Sequence, residues 1–549
     1  MLSGEAVTTM HCKGWQQEGI YRLLLNSLAP DVAENPYELI VYGQGKAVRD
    51  FDALTAAKAA LETLADDETL LMQSGKPVAV FRTHEDAPRV IMSTAMLVPR
   101  WAGWDEFRKL EQRNLTMFGQ STAASWAYIG AQGILQATFE TLWEIAQSHF
   151  HGTLEGKLVL SSGLGGMGCA QPLAVEMNGG VAIIAEANRH KVMKRLDMNL
   201  IQFATDSVTD ALRLAREALQ RRIPRSIGLV GNAVDVYEFL LSEGVCPDVV
   251  TDQTAAHDLL NGYIPAGYNP GELRAMRVEN PAGYVEAARN SIARHVKAML
   301  KFMAAGSVVF EYGNHLRGQA QPMVPEAMNI PSFITLFARD RLSVGTEPLR
   351  WIALSGRPED IYRIDSWVLE RFNDDVRLVT WLRHARERVN FQGLPARSMW
   401  LSYEQRRQLL NAIWDLLRQG EICAPVAFTR DHFAGATMAS PHRETEQLLD
   451  GSDAVADWPV LNALLMAGSG ATLVSLQQGG GVGVGYSIHA GTTAIMENTE
   501  HSYKKVLRSL MAESQLGILR YASAGYESAE AKLLHISKSE AGDNFRDGR

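Results

Sequence analysis

The sequence predicts an α/β fold built on a parallel sheet, and three observations predict it. From Lys157 to Asn188 the order is apolar strand, glycine turn, short helix, apolar strand, acid. From about residue 130 to about 340, strand-like and helix-like segments alternate, the pattern of a parallel sheet with crossover helices. Polar residues cluster where those strands end, which is where open α/β sheets bind ligands.

The first unit carries the most information. Leu158-Val159-Leu160 reads as a buried strand, and Gly163, Gly165 and Gly168 follow as G-x-G-x-x-G. The first glycine permits a tight turn, the second lets backbone approach a pyrophosphate, and the third lets the helix pack on the strand. N–H groups at the helix start would hold phosphates. A second run, Val181 to Ala185, ends on Glu186, placed to accept from a ribose hydroxyl. The glycine pattern alone would be weak. With both strands and the acid it reads as a dinucleotide site.

Bulk composition narrows the class. At 549 residues the chain can fill two to four domains with real cores. A hydrophobic content of 46% and a charged content of 21% are those of a globular protein. A net charge of -9 argues against nucleic acid and anionic membrane as partners, since both need a basic face. Cys12, Cys169, Cys246 and Cys423 are scattered without metal-ligand spacing, the pattern of free thiols in a reducing compartment. No signal peptide and no apolar run long enough for a bilayer stand out, so a cytoplasmic protein is expected.

In the N-terminal part, Glu38 to Tyr42 is strand-like and runs into Gly43-Gln44-Gly45-Lys46. Leu70 to Phe81 reads as a hairpin turning near Gly75. Met117 to Trp126 sets small polar residues in an apolar background, as pocket walls and helix contacts both do. Further strands are read at Ile227–Gly231, Asp248–Gln253 and Val308–Glu311, with helices near 206–222 and 281–305. The last places Val285, Ala288, Ile292, Val296, Met299 and Met303 on one face.

The C-terminal part holds three dense stretches: Phe391 to Trp400, Arg430 to Glu444, and Leu476 to Gly485. The last packs five glycines into seven residues between apolar runs, so backbone comes close to something there. Arg350, Arg397 and Arg443 could clamp a carboxylate two-pronged. His84, His257, His432, His442 and His489 lie in the rich stretches, but no H-E-x-x-H or similar pair appears, so no metal site is expected. No G-x-S-x-G elbow is present.

Taken together, QSGKPVAVFRTHEDAPRV, GLGGMGCAQPLA, DQTAAHDLLNGYIPAGY, FQGLPAR, RETE, DGSDAVADWPVLNALL and SLQQGGGVGVGYS resemble the urocanase (urocanate hydratase) family, from about Leu28 to Tyr526. The resemblance implies a Rossmann-like NAD-binding domain at 131–343. It would be inserted in a larger α+β core formed by residues 1–130 and 344–549, and the protein would be a homodimer. It implies a tightly bound NAD+ that acts as an electrophile, and a 1,4-hydration of an imidazolyl acrylate. By motif match, NAD contacts would fall on Gly43, Gln120, Gly166, Met167, Gly168, Glu186, Lys191, Asn232, Ala233, Gln253, Thr254, Ala255, Ala256, His257, Tyr263, Ile264, Tyr312 and Gly481. Lys191 stands where the family has Arg, a point charge in place of a fork. Arg350, Arg443 and Thr122 would meet the substrate carboxylate, Tyr42 would lie near the ring, and His432 joins the candidate catalytic set.

The departures from the family pattern are specific. FQGLPARSMW replaces FQGLPARICW, so Met399 takes the position of the family's active-site cysteine. RDHFAGA replaces RDHLD, which puts Ala434 at the second acid and Gly435 after it. His442 replaces Asn, and Gln477-Gln478 replaces a histidine pair. YGQGKA is one residue shorter than YGGIGRA. These changes are expected to cluster round the azole, giving room and soft apolar contact to a ring bearing sulfur. A thiourocanate or S-methyl thiourocanate hydratase, in ergothioneine-type breakdown, is the resulting expectation. An ordinary urocanate hydratase of histidine breakdown and an NAD-dependent dehydrogenase are the alternatives.

Overall fold

A computed structural model describes residues 9–430 and 433–544. Two sheets organise the chain. The first has six strands, in the order Val308–Val309, Val249–Val250, Leu158–Ser162, Val181–Glu186, Arg225–Val230, Phe203–Thr205. Every neighbouring pair is parallel. Leu158–Ser162 and Val181–Glu186 are buried at every residue, which is why they read as continuous apolar runs rather than alternating ones. From Leu158–Ser162 the chain winds one way to Val181–Glu186 and later the other way to Val249–Val250. The point of reversal opens a crevice at the strands' carboxyl ends.

The second sheet has nine strands drawn from both ends of the chain. Its path is Ala396–Leu401, Glu347–Ala353, Val426–Arg430, Ile488–Met496, Leu473–Gln478, Val90–Thr94, Glu68–Gln73, Lys76–Arg82, with Met438–Ala439 pairing off the path. Leu473 to Gln477 runs parallel to Val90 to Thr94, stitching the two ends together. The parallel sheet is therefore inserted in a mixed α+β core, as the resemblance implied. The Ala131–His149 helix joins the halves: Leu135, Phe139, Leu142 and Ile145 pack into one core with Trp351, Trp381 and Phe428.

Local readings held with small shifts. The hairpin turns at Ser74 and Gly75, both at positive φ. The helix expected at 206–222 is Val208–Arg221, capped by Ser207, whose hydroxyl accepts from the Asp210 N–H. In Pro281–Ala304, Ala288, Ile292, Val296 and Met299 are fully buried, while Val285 and Met303 are half-buried at the core's edge. The strands expected at 248–253 and 308–311 keep only two ladder residues each, and their polar tails become loops of the crevice. No helix among the described residues is long and apolar enough to cross a membrane.

Candidate functional site

The crevice is built from strand ends. Gly163 sits at φ 87°, and a Cβ there would meet the Gln253 carbonyl carbon at 2.7 Å, so the turn presses directly against the neighbouring strand's exit. Gly165 is open, with Lys191 Nζ 4.0 Å from where its Cβ would stand. Glu186 accepts from Leu164 N at 2.9 Å and Asn188 N at 2.8 Å, which fixes its carboxylate across the turn. Asn232 caps the next helix through Val234 N, and its Nδ2 donates to Ile264 O at 2.9 Å. With Ala233, Thr254, Ala255, Tyr263 and Ile264 these residues line one continuous cavity.

Gln253 lines this cavity and a second one beyond it. Its side-chain Oε1 is buried without a hydrogen-bond partner among the described residues. The second cavity has Gln253, Asn314, Arg350 and Arg443 as its charged or amide groups, and Tyr312 as a phenol. Its remaining wall is Gly133, Ile134, Ala137, Met167, Phe333, Pro348 and Phe433. Tyr312 stacks on Phe333 at 4.5 Å, and Phe333 on Phe433 at 5.5 Å. Arg443, 5% exposed, donates from Nη1 to Gly313 O at 2.7 Å and from Nε to Glu444. Its Nη2 has no hydrogen bond among the described residues.

Other candidates surround these cavities. Tyr42 and Gly166 line a third cavity with Tyr128 and Arg195. Tyr42 OH donates to Gln120 O at 2.5 Å and accepts from Thr122 Oγ1 at 3.2 Å, so Thr122 supports Tyr42. Gly43 stands at φ 58° against the Gln120 side chain. Gly168 packs on the Gly163 carbonyl inside the turn, and Gly481 packs on the Arg443 guanidinium. His257 is buried and lines none of these cavities; its carbonyl accepts from Trp104 Nε1 at 3.0 Å. Burial pulls its imidazole down to about 4, with Asp258 opposing and the Arg443 charge adding, so the ring is neutral at pH 7. His432 lies outside the described residues.

Four expectations are corrected. Ala256 belongs to the apolar core beneath the parallel sheet, not to the crevice. Arg397 is 2% exposed and bound two-pronged by Asp365 at 3.0 and 2.6 Å, so it clamps a carboxylate of its own chain. Met399 is 0% exposed and pairs with Leu349, whereas Pro348 and Arg350, which line the second cavity, pair with Trp400 and Ser398. Directly opposed residues share a face and successive ones alternate, so Met399 points into the core on the far side of the sheet. Nor do the altered positions gather round one ring. Ala434 and Gly435 line a separate small cavity, Gln477 donates to Ser121 O at 2.8 Å, and His442 packs on His315 at 4.9 Å.

Some site residues escaped the sequence reading. Asn314 Nδ2 donates to Gln253 O at 3.0 Å and lines the second cavity. Its place just past a strand end was the available signal. Phe333, Ile134 and Ala137 carried none, since apolar residues of wall and core look alike. Asp252, under the crevice floor, accepts from Ser162 Oγ, Thr254 N and Thr254 Oγ1 at 2.6, 3.0 and 2.8 Å. Burial pushes its carboxyl up to about 7, against the pull of those hydrogen bonds.

A parallel-sheet crevice at the switch point, beside a pocket lined by Arg350 from a strand of the other sheet and Arg443 from a turn, defines a Rossmann-like enzyme of the nucleotide-binding class. The groups present fit a dinucleotide: an open glycine backbone beside a lysine, an acid fixed after the second strand, and an unpartnered buried amide where the two cavities meet. Three family models match the chain in succession: the urocanase N-terminal domain over residues 2–127, the urocanase Rossmann-like domain over 130–337, and the urocanase C-terminal domain over 340–535. The chain belongs to the urocanase family, and with it to the hydro-lyases of urocanate hydratase type.

Proposed function

We propose that this hydratase binds NAD+ tightly and adds water 1,4 across a urocanate-like acrylate whose ring carries sulfur at the 2-position, thiourocanate or S-methyl thiourocanate. The observation that carries the reading is the continuity through Gln253 of the nucleotide crevice with the Arg350–Arg443 cavity. Glu186, Lys191, Asn232, Ala233, Thr254, Ala255, Tyr263 and Ile264 would hold the adenosine and pyrophosphate side, and Met167, Gln253 and Tyr312 the nicotinamide side. When bound, NAD+ would supply an electrophilic pyridinium carbon for the ring, with no hydride transferred.

The chain's own residues do the rest. Arg443 and Arg350 neutralise the substrate carboxylate and fix its direction. Tyr42, supported by Thr122 and Gln120, stands at the neighbouring cavity near the ring. His432 stays in the candidate catalytic set, with no step assigned to it. Ile134, Ala137, Phe333 and Phe433 offer apolar and aromatic contact. That wall suits an S-methyl group, which would bury apolar surface worth roughly 1 kcal/mol. The family resemblance carries with it a homodimer, and a division of the chain at 1–130, 131–343 and 344–549.

A second reading, ordinary urocanate hydration, is favoured by one observation: Met399 lies on the far face of the sheet and cannot shape the ring pocket directly. Parallel assays of urocanate, thiourocanate and S-methyl thiourocanate, following loss of each acrylate's ultraviolet absorbance, decide between them. A sulfur-bearing substrate is expected to show kcat/KM at least about tenfold above urocanate, a difference of roughly 1.4 kcal/mol. If urocanate is fastest, the second reading stands.

A further inference from the structure

His489, on the strand Ile488–Met496, is fully buried and lines none of the cavities described above. Its Nε2 lies 3.0 Å from the Gly480 carbonyl and 2.9 Å from Ser487 Oγ. A carbonyl only accepts, so the imidazole proton sits on Nε2. Ser487 donates its own hydroxyl to the same carbonyl at 2.8 Å, which leaves its oxygen to accept from His489. The Val482 N–H is a third donor to Gly480 O, at 2.8 Å. Only glycine at 480 allows this approach, since a Cβ there would stand 2.8 Å from His489 Nε2.

The bond from Val482 N to Gly480 O closes a three-residue turn with Gly481 at its centre. Gly481 sits at φ 69°, the sign of the rarer, strained form of γ-turn. Such strain persists only where the surroundings over-determine the conformation. His489 and Ser487 both do so, by holding the carbonyl that opens the turn. The apex of the turn presses on Arg443. A Cβ on Gly481 would collide with Arg443 Nη1 and stand 2.9 Å from Cζ. Arg443 itself lines the cavity that Arg350 shares. Direct contacts thus run from a buried imidazole through Gly480 and Gly481 to a guanidinium of the pocket.

We propose that His489 is a positioning residue for Arg443, a role that rests on the reading that Arg443 meets the substrate carboxylate. His489 acts by holding the strained turn whose apex backs the guanidinium. Phenylalanine at 489 keeps a ring of similar size and removes the N–H. Gly480 O would still accept from Val482 and Ser487, so no buried acceptor is orphaned and the fold loses little. The turn, however, loses one of its two side-chain tethers. Gly481 is then free to relax away from the strained φ, and Arg443 loses its backing. Glutamine at 489 returns an N–H donor on a side chain of similar reach.

The test is a double-mutant cycle in the full-length protein, assayed with urocanate and its sulfur-bearing analogues. His489→Phe alone should lower kcat/KM about tenfold for whichever acrylate the wild type turns over fastest. On an Arg443→Ala background it should lower kcat/KM less than about twofold, because the group it positions is gone. His489→Gln should recover most of the loss, and NAD+ content should match the wild type in every variant. Unchanged kcat/KM in His489→Phe, or equal losses in both backgrounds, would make His489 a packing residue and overturn the proposal. Loss of NAD+ from His489→Phe would overturn it too, since the turn would then serve the nucleotide. If His489→Phe does not fold, Ser487→Ala carries the same cycle, with a loss of about threefold expected only where Arg443 is present. Wild-type turnover by Arg443→Ala alone is a separate result: it removes the carboxylate reading, and the proposal falls with it.

Discussion

Arg443 reaches the second cavity past Gly313, whose carbonyl accepts from its Nη1 at 2.7 Å. Gly313 sits at φ 109°, and a Cβ there would collide with the Arg443 side chain. Gly481, at φ 69°, closes on the guanidinium from the other side. The two glycines form a slot that leaves the arginine one path to the pocket. Arg443→Ala should raise the barrier by about 2–4 kcal/mol, the scale for unpairing a buried charge partner. Gly313→Ala should do nearly as much while leaving every polar group in place. Steady-state kinetics check both, and wild-type turnover by either variant would show that Arg443 does not meet the substrate.

The cofactor expectation is independent of the arginines. Purified protein should carry NAD+ without any being added, since the crevice is walled by strand ends, the glycine turn and the loop through Asn232 and Ile264. Acid precipitation and chromatography of the supernatant should recover close to one NAD+ per chain. Arg443→Ala should leave that content unchanged. An empty supernatant, with no binding on titration, would remove the mechanism.

The sequence made the glycine turn, the strand ends and both pocket arginines legible, because backbone approach and charge leave marks in residue type. Residue type alone could not separate Arg443 from Arg397, although the motif match named only Arg350 and Arg443. Both are buried and both bind a carboxylate of their own chain, and only the fold shows that Arg397 is held two-pronged by Asp365 while Arg443 lines the second cavity. Met399 was misplaced for a related reason. The Ala396–Leu401 strand is buried at every residue, so no alternation of polar and apolar positions told which side faces the ligand.

Asp252 gives the enzyme a pH-dependent term in stability. Its carboxyl is pushed up from its ordinary 3.8 to about 7, chiefly by burial. Between those values the folded state binds the proton and the unfolded state does not, so the group's contribution is full below the lower value. It falls as pH rises and is gone above about 7. From pH 5 to pH 8 the loss is on the order of 2 kcal/mol. Asp252→Asn fixes the neutral form and should flatten this part of the profile. Denaturant unfolding of both proteins at pH 5 and pH 8 measures it. An unchanged difference between them at the two pH values would mean that Asp252 is ionised throughout.

Met399→Cys tests the face assignment directly. The substitution restores the residue that the related motif carries at this position. Met399 packs in the core beside Leu349, with Arg350 and Ser398 turned to the other side of the strand pair. Shortening a buried methionine leaves a void, so stability should drop by about 1–3 kcal/mol, less than a full truncation to alanine. Selectivity should not move: the kcat/KM ratio between urocanate and its sulfur-bearing analogues should stay within about twofold, since a difference under 0.5 kcal/mol is all that second-hand repacking would pass on. Ser398→Ala, on the pocket side, is the contrasting variant and should alter KM with little loss of stability. A tenfold swing toward urocanate in Met399→Cys would show that the side chain at 399 reaches the ring and that the strand pair presents the opposite face to the substrate.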